Sequence, residues 1–171
     1  MGAHPYCYFT SYNPDIAAAL DELREQEFRA GRYDPALQAA NPPTFTFEQT
    51  FPPGPEFPSP GAQHASMMEA FEESEPDGTG SILDLFGIAL EPEFVHCSPV
   101  PDADLISIFG SAQPMRADIE TILPKRGPIS PDALQRFGTF WDSIGRGEGR
   151  YIVVHGASGP EALFFAGYSL D

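Results

Sequence analysis

Residues 6–33 read Tyr-Cys-Tyr-Phe-Thr-Ser-Tyr, then Asn-Pro-Asp-Ile-Ala-Ala-Ala-Leu-Asp-Glu-Leu-Arg-Glu-Gln-Glu-Phe-Arg-Ala-Gly, then Arg-Tyr. The first block has the aromatic, half-apolar character of a strand, and the second is punctuated at both ends as a helix. Asn13 is placed to cap that helix, Pro14 suits a first helical position that needs no N–H, and Gly31 supplies a left-handed stop. At about 100° per residue, Ile16, Leu20, Leu23 and Ala30 share one stripe. Asp21, Glu22, Glu25 and Arg29 fall opposite, with Glu25 and Arg29 spaced for an i,i+4 pair. Glu27 projects into the middle of the apolar stripe. A carboxylate there is either paired or held neutral, because a lone buried charge is very costly. Arg24, Arg32 and the distant Arg150 are its candidate partners.

Working outward, the C-terminal end carries the second clear pattern. Arg150–His155 and Ala162–Ser169 are β-rich runs joined by Gly156-Ala157-Ser158-Gly159-Pro160-Glu161, which reads as a hairpin. Phe164, Ala166 and Tyr168 fall on one face and Leu163, Phe165 and Gly167 on the other, the mark of an inner strand covered on both sides. Between the two ends, Ser66-Met67-Met68-Glu69 has capping-box spacing and opens a helix to about Ser74. Residues 81–90 are expected to form a strand with Ile82, Asp84 and Phe86 on one side and Leu83 and Leu85 on the other. Phe94–Ser98 reads as another strand. Asp102 to Phe109, Met115 to Ile122 and Pro131 to about Ile144 read as helices, the last capped by Ser130 and bearing Leu134, Phe137 and Trp141 as core residues. The expectation is a single α+β domain, an antiparallel or mixed sheet with helices packed against it.

Residues 41–61 change character. Seven prolines rule out a helix and most of a central strand, while Phe45, Phe47 and Phe51 alternate with polar residues as one edge strand can. With Phe57 as a fourth phenylalanine, this strap is expected to lie on the body, as a cover for a sheet face, a lid or a docking surface.

The chain of 171 residues carries 25 acids against nine lysines and arginines, a net charge of −16. Such a balance disfavours nucleic acid and anionic membranes, which require cations, and suits a basic protein partner. No apolar run is long enough to span a bilayer, and the first residues have neither a basic nor a hydrophobic leader region, so a cytoplasmic location is the expectation. Gly78-Thr79-Gly80 lacks phosphate-loop spacing and precedes an expected strand, and no calcium-loop ligand set follows it. His4, Cys7, His96 and Cys97 do not have zinc spacing, so no metal or other cofactor is expected. Cys7 and Cys97 are expected as buried free thiols, although a disulfide between them is conceivable. Pairing either with His64 or His155 as a nucleophile, or Glu27 with Asp84 or Glu148 as paired acids, has no local spacing to support it.

The blocks YCYFTSYNPDIAAALDELREQEFRAGRYDP and GRYIVVHGASGPEALFFAGYSLD together resemble a small family of uncharacterised bacterial proteins. The resemblance implies a bacterial cytoplasmic domain in which the two blocks pack together, and it carries no catalytic residue. Two functions follow as expectations. The first is an acidic interaction module of the immunity or antitoxin type that masks a basic protein. The alternative is a small-molecule binder or enzyme whose pocket lies between the first helix and the C-terminal hairpin. In that reading Glu27 is the acid or base and Arg24, Arg32 or Arg150 clamps an anion.

Overall fold

A computed structural model describes residues 3–40, 52–54, 57–124 and 129–170. Most of the proline-rich strap (41–51 and 55–56), with its expected edge strand, lies outside these, as do 125–128. Six helices and a five-stranded sheet form one α+β domain among the described residues. The strand order is β1 (Pro5–Ser11), β5 (Gly159–Tyr168), β4 (Gly149–Gly156), β3 (His96–Pro99) and β2 (Gly87–Ile88). β1, β5 and β4 pair antiparallel, whereas β4, β3 and β2 run parallel, so the sheet is mixed.

The two terminal blocks do pack together. β1 pairs with β5 over its whole length, Pro5 opposite Tyr168 and Ser11 opposite Ala162. β5 is the inner strand its sequence describes: Phe164 and Ala166 enter one core, Leu163 and Phe165 the other. Gly167 faces Tyr6 across the pair, and a Cβ there would strike the Tyr6 ring, so only glycine lets that ring lie flat on the sheet.

One face of the sheet is covered by α4 (Asp102–Phe109), α5 (Arg116–Ile119), a 3-10 turn at Glu120–Ile122 and α6 (Pro131–Trp141). Their core is apolar, with Phe140, Trp141 and Phe164 meeting at tilted and edge-on angles. The Trp141 indole N–H donates to the Ile122 carbonyl at 2.7 Å. The other face is covered by α1 (Ile16–Ala30) together with a 3-10 turn at Ile82–Asp84, and α3 (Met67–Ser74) packs beside them.

Several expectations change in detail. The cap of α1 is Asp15, whose carboxylate accepts from the Ala18 N–H, and Asn13, two residues earlier, instead accepts from the Asp15 N–H. Ile82–Asp84 is a 3-10 turn and not the beginning of a strand, and only Gly87 and Ile88 pair as β2. All of residues 81–85 are buried, so the run lacks the two-residue alternation of burial that marks a half-covered strand. α4 has Pro101 at its cap position and no side-chain cap, so Asp102 lies inside the first turn. α6 keeps its Ser130 cap and ends at Trp141, with Leu134 on the outside and Trp141 in the core.

Candidate functional site

The end of α1 shows why its carboxylate is buried. Gly31 adopts φ 71°, and the Gly31 and Arg32 N–H groups donate to the Phe28 and Glu27 carbonyls respectively. This is a Schellman turn, which folds the chain back so that the residue after the glycine faces the residue five earlier. Arg32 is therefore delivered to Glu27. Its Nε donates to Oε2 at 2.8 Å and its Nη2 to Oε1 at 2.5 Å, a two-pronged pair that leaves Glu27 only 1% exposed. The remaining Arg32 nitrogen donates to Ser59 Oγ at 2.9 Å, so the pair also holds the described end of the strap. There the Gly61 N–H donates to the Ala30 carbonyl. A Cβ on Gly31 would collide with the Gly61 backbone, so the two segments cross with no side chain between them.

Arg32 is thus the partner among the three candidates. Arg24 turns to Asp21 at 3.5 Å and lies over the Phe86 ring, 5.6 Å from its centre. Arg150 is on the other side of the sheet, in register with Ala166, where it donates to the carbonyls of Gly149 and Ser143 and to Glu148 Oε2. It ties β4 to the turn after α6. The expected clamp of Glu27 with Arg24 and Arg150 does not assemble, because the sheet's alternation separates α1 from Arg150.

Two polar clusters beside α1 were not foreseen. Asp84 is fully buried at the end of its 3-10 turn. Its Oδ1 accepts from the Thr79 N–H at 2.6 Å and the Thr79 hydroxyl at 2.7 Å, while Oδ2 has no hydrogen-bond partner. Burial pushes the carboxyl up to about 6, against the pull of Thr79 and of the Gly80 and Ser81 amides that face it. The second cluster runs outward from Tyr33, which stacks on Phe28 with 5.6 Å between ring centres. The Tyr33 hydroxyl accepts from the Gln63 N–H and bonds His64 Nδ1 at 2.8 Å, and His64 Nε2 bonds Glu73 Oε2 at 3.0 Å. A proton on Nε2, with the phenol donating to Nδ1, satisfies every partner in this chain. The Gly-Thr-Gly-Ser turn five residues before Asp84 was the available sign of the first cluster. The second joins residues far apart in sequence and has no local sign.

Cys7 and Cys97 are free and lie in the two opposite cores, so no bond joins them. Burial pushes both thiols up, away from the reactive thiolate. Among the described residues no three His, Cys, Asp or Glu converge as a metal site, and no helix is long and apolar enough to cross a membrane.

The outward side of α1 offers a different kind of site. Asp21, Glu22, Glu25, Gln26, Arg29 and Ala30 line an open groove, closed at one side by Met67 at the start of α3. Arg29 is already engaged with Glu25 at 2.7 Å. Beyond Met67, the exposed acids Glu69, Glu72, Glu73, Glu75 and Asp77 continue along α3 and the turn after it. The groove has a hydrophobic border and more carboxylates than cations, which suits cationic side chains with apolar stems. No family model, curated protein or solved structure matches the chain.

Proposed function

We propose that this chain is an acidic protein-interaction module of the immunity or antitoxin type, which binds and masks a basic protein. The observation that carries the reading is the groove between α1 and α3, where Asp21, Glu22 and Glu25 outnumber the two arginines that pair there, Arg24 with Asp21 and Arg29 with Glu25, and the exposed acids of α3 continue the negative charge. The net charge of −16 supplies long-range attraction toward such a partner. The competing reading needs Glu27 free to meet a substrate. Both Glu27 oxygens are taken by Arg32 and the side chain is sealed, so it has no atom to offer one.

The test is affinity capture from the source cells with the wild-type chain and with a triple variant, Asp21→Lys, Glu22→Lys, Glu25→Lys. Wild type is expected to retain one basic protein that the variant loses, and to release it at about 0.5 M salt, where exposed charges are screened beyond a few ångströms. Equal retention by both chains, or none by wild type, overturns the reading.

A further inference from the structure

β2 and β3 are parallel neighbours, Gly87 beside His96 and Ile88 beside Cys97, yet only residues 89–95 connect them. Parallel strands ordinarily need a crossover of a dozen or more residues. Here the chain doubles back tightly, and Val95 takes the strain with φ 55°, the one non-glycine residue at positive φ among those described. A β-branched side chain is a true outlier there. It is held from both sides: its N–H donates to the Gly147 carbonyl at 2.6 Å, and its carbonyl accepts from the Phe86 N–H at 2.7 Å. His96 braces the same turn through the Phe94 carbonyl at 3.0 Å.

This costly return presents the most exposed large apolar side chains among the described residues. Leu90 is 89% exposed and Phe94 60%, the two highest values among the described large hydrophobics. Four residues of chain keep their Cα atoms within about 14 Å of each other. Glu91 and Glu93, both exposed, stand between them. Strained backbone persists where the surroundings over-determine it, and it gathers at binding and switching sites.

We infer that the Leu90–Phe94 loop is a docking anchor for a basic, amphipathic protein segment. The apolar face of that segment covers Leu90 and Phe94, while its lysines or arginines meet Glu91 and Glu93. The acids choose the occupant. A second copy of this chain would set Glu91 and Glu93 against each other and add its own net charge of −16, whereas a cationic rim is attracted. This assignment rests on the interaction reading above and places its apolar contact away from the α1–α3 groove.

The probe is a synthetic amphipathic helix of about 18 residues with a leucine stripe flanked by lysines. It is titrated into the full, isotope-labelled chain and followed by amide chemical shifts. A control peptide has the same charge with serine in place of leucine. The expected result is saturable binding to the leucine peptide, shifts centred on residues 87–97 and Gly147, and affinity about tenfold weaker for Leu90→Ser. Leu90 is almost wholly in solvent, so this variant keeps its fold, which its unchanged melting temperature verifies. Equal binding of both peptides, shifts centred on Asp21–Arg29 with Leu90→Ser neutral, or self-association that depends on Leu90 each overturns the anchor. The first two leave the acidic interaction reading standing. That reading stands or falls by the cellular capture experiment.

Discussion

The two faces of one sheet are built by opposite rules. Under α4, α5 and α6 the core is Phe140, Trp141, Phe164, Ile152 and Val154, and its interior is held by packing. Under α1 the apolar core of Leu20, Leu23, Leu83 and Phe165 encloses Glu27 and Asp84, each answered by a specific partner. The first face tolerates only volume-preserving change. The second has carboxylates inside its core, so pH and partner deletion reach its interior, whereas on the first face the charged pair of Arg150 and Glu148 stands beside the apolar core.

The largest expected effect breaks the apolar face. Phe140→Ala leaves a cavity among rings and is expected to cost about 4 kcal/mol in chemical denaturation, with the loss unchanged between pH 4 and 8. On the polar face, Arg32→Met strands Glu27 as a buried charge. A loss on the order of 3 kcal/mol is expected, and the double variant Glu27→Met, Arg32→Met should recover most of it. No recovery in the double variant would mean that the pair is doing more than satisfying itself, and the contrast between the faces would weaken.

Asp84 sharpens the contrast by its sign. Its folded carboxyl is raised from 3.8 to about 6, so the native state binds the proton more tightly than the unfolded chain. Below about pH 4 both states are protonated and nothing is lost, whereas above about pH 6 the native state holds a buried charge. The contribution of Asp84 to stability therefore falls as pH rises through that window, by about 3 kcal/mol, and stays lost above it. Asp84→Asn should abolish this fall, read as the difference between variant and wild-type unfolding free energies at each pH. A difference that does not vary between pH 4 and 7 sinks the assignment. The smallest effect is that of Tyr33→Phe, which deletes the bonds to His64 and Gln63 and is expected to cost about 1 kcal/mol. It should also speed amide exchange at Gly61 and Gln63 more than at Trp141.

Much of this architecture is local and was therefore readable. The Gly31 stop, the Ser66 and Ser130 caps and the inner-strand pattern of β5 each depend on residues within a few positions. The anomaly at Glu27 was also visible, because one carboxylate interrupts an otherwise apolar stripe. Its partner was not separable from Arg24 by helical spacing, since the decisive event is the reversal at Gly31 and not a step along the helix. Asp84 hid for a different reason. Its neighbours Ile82, Leu83 and Leu85 imitate a strand in composition, while the structure buries them around a 3-10 turn. The parallel return into β3 and the relay from Tyr33 to Glu73 are contacts between separate segments, and no local pattern encodes them.

The pairing of β1 with β5 has a consequence for how the molecule is made. The His4 N–H bonds Ser169 across 165 positions of sequence, so β1 waits for a partner strand made that much later. At ordinary rates of translation that wait is roughly 8–30 s. Throughout it, Tyr6, Cys7 and Tyr8 have neither their strand partner nor the Leu163–Ala166 floor that buries them. The nascent chain thus carries an unpaired, aromatic ribbon through that interval. Ribosome-associated chaperones would meet that ribbon while it is unpaired, and yield on rapid expression should depend on it as well as on the finished protein's stability.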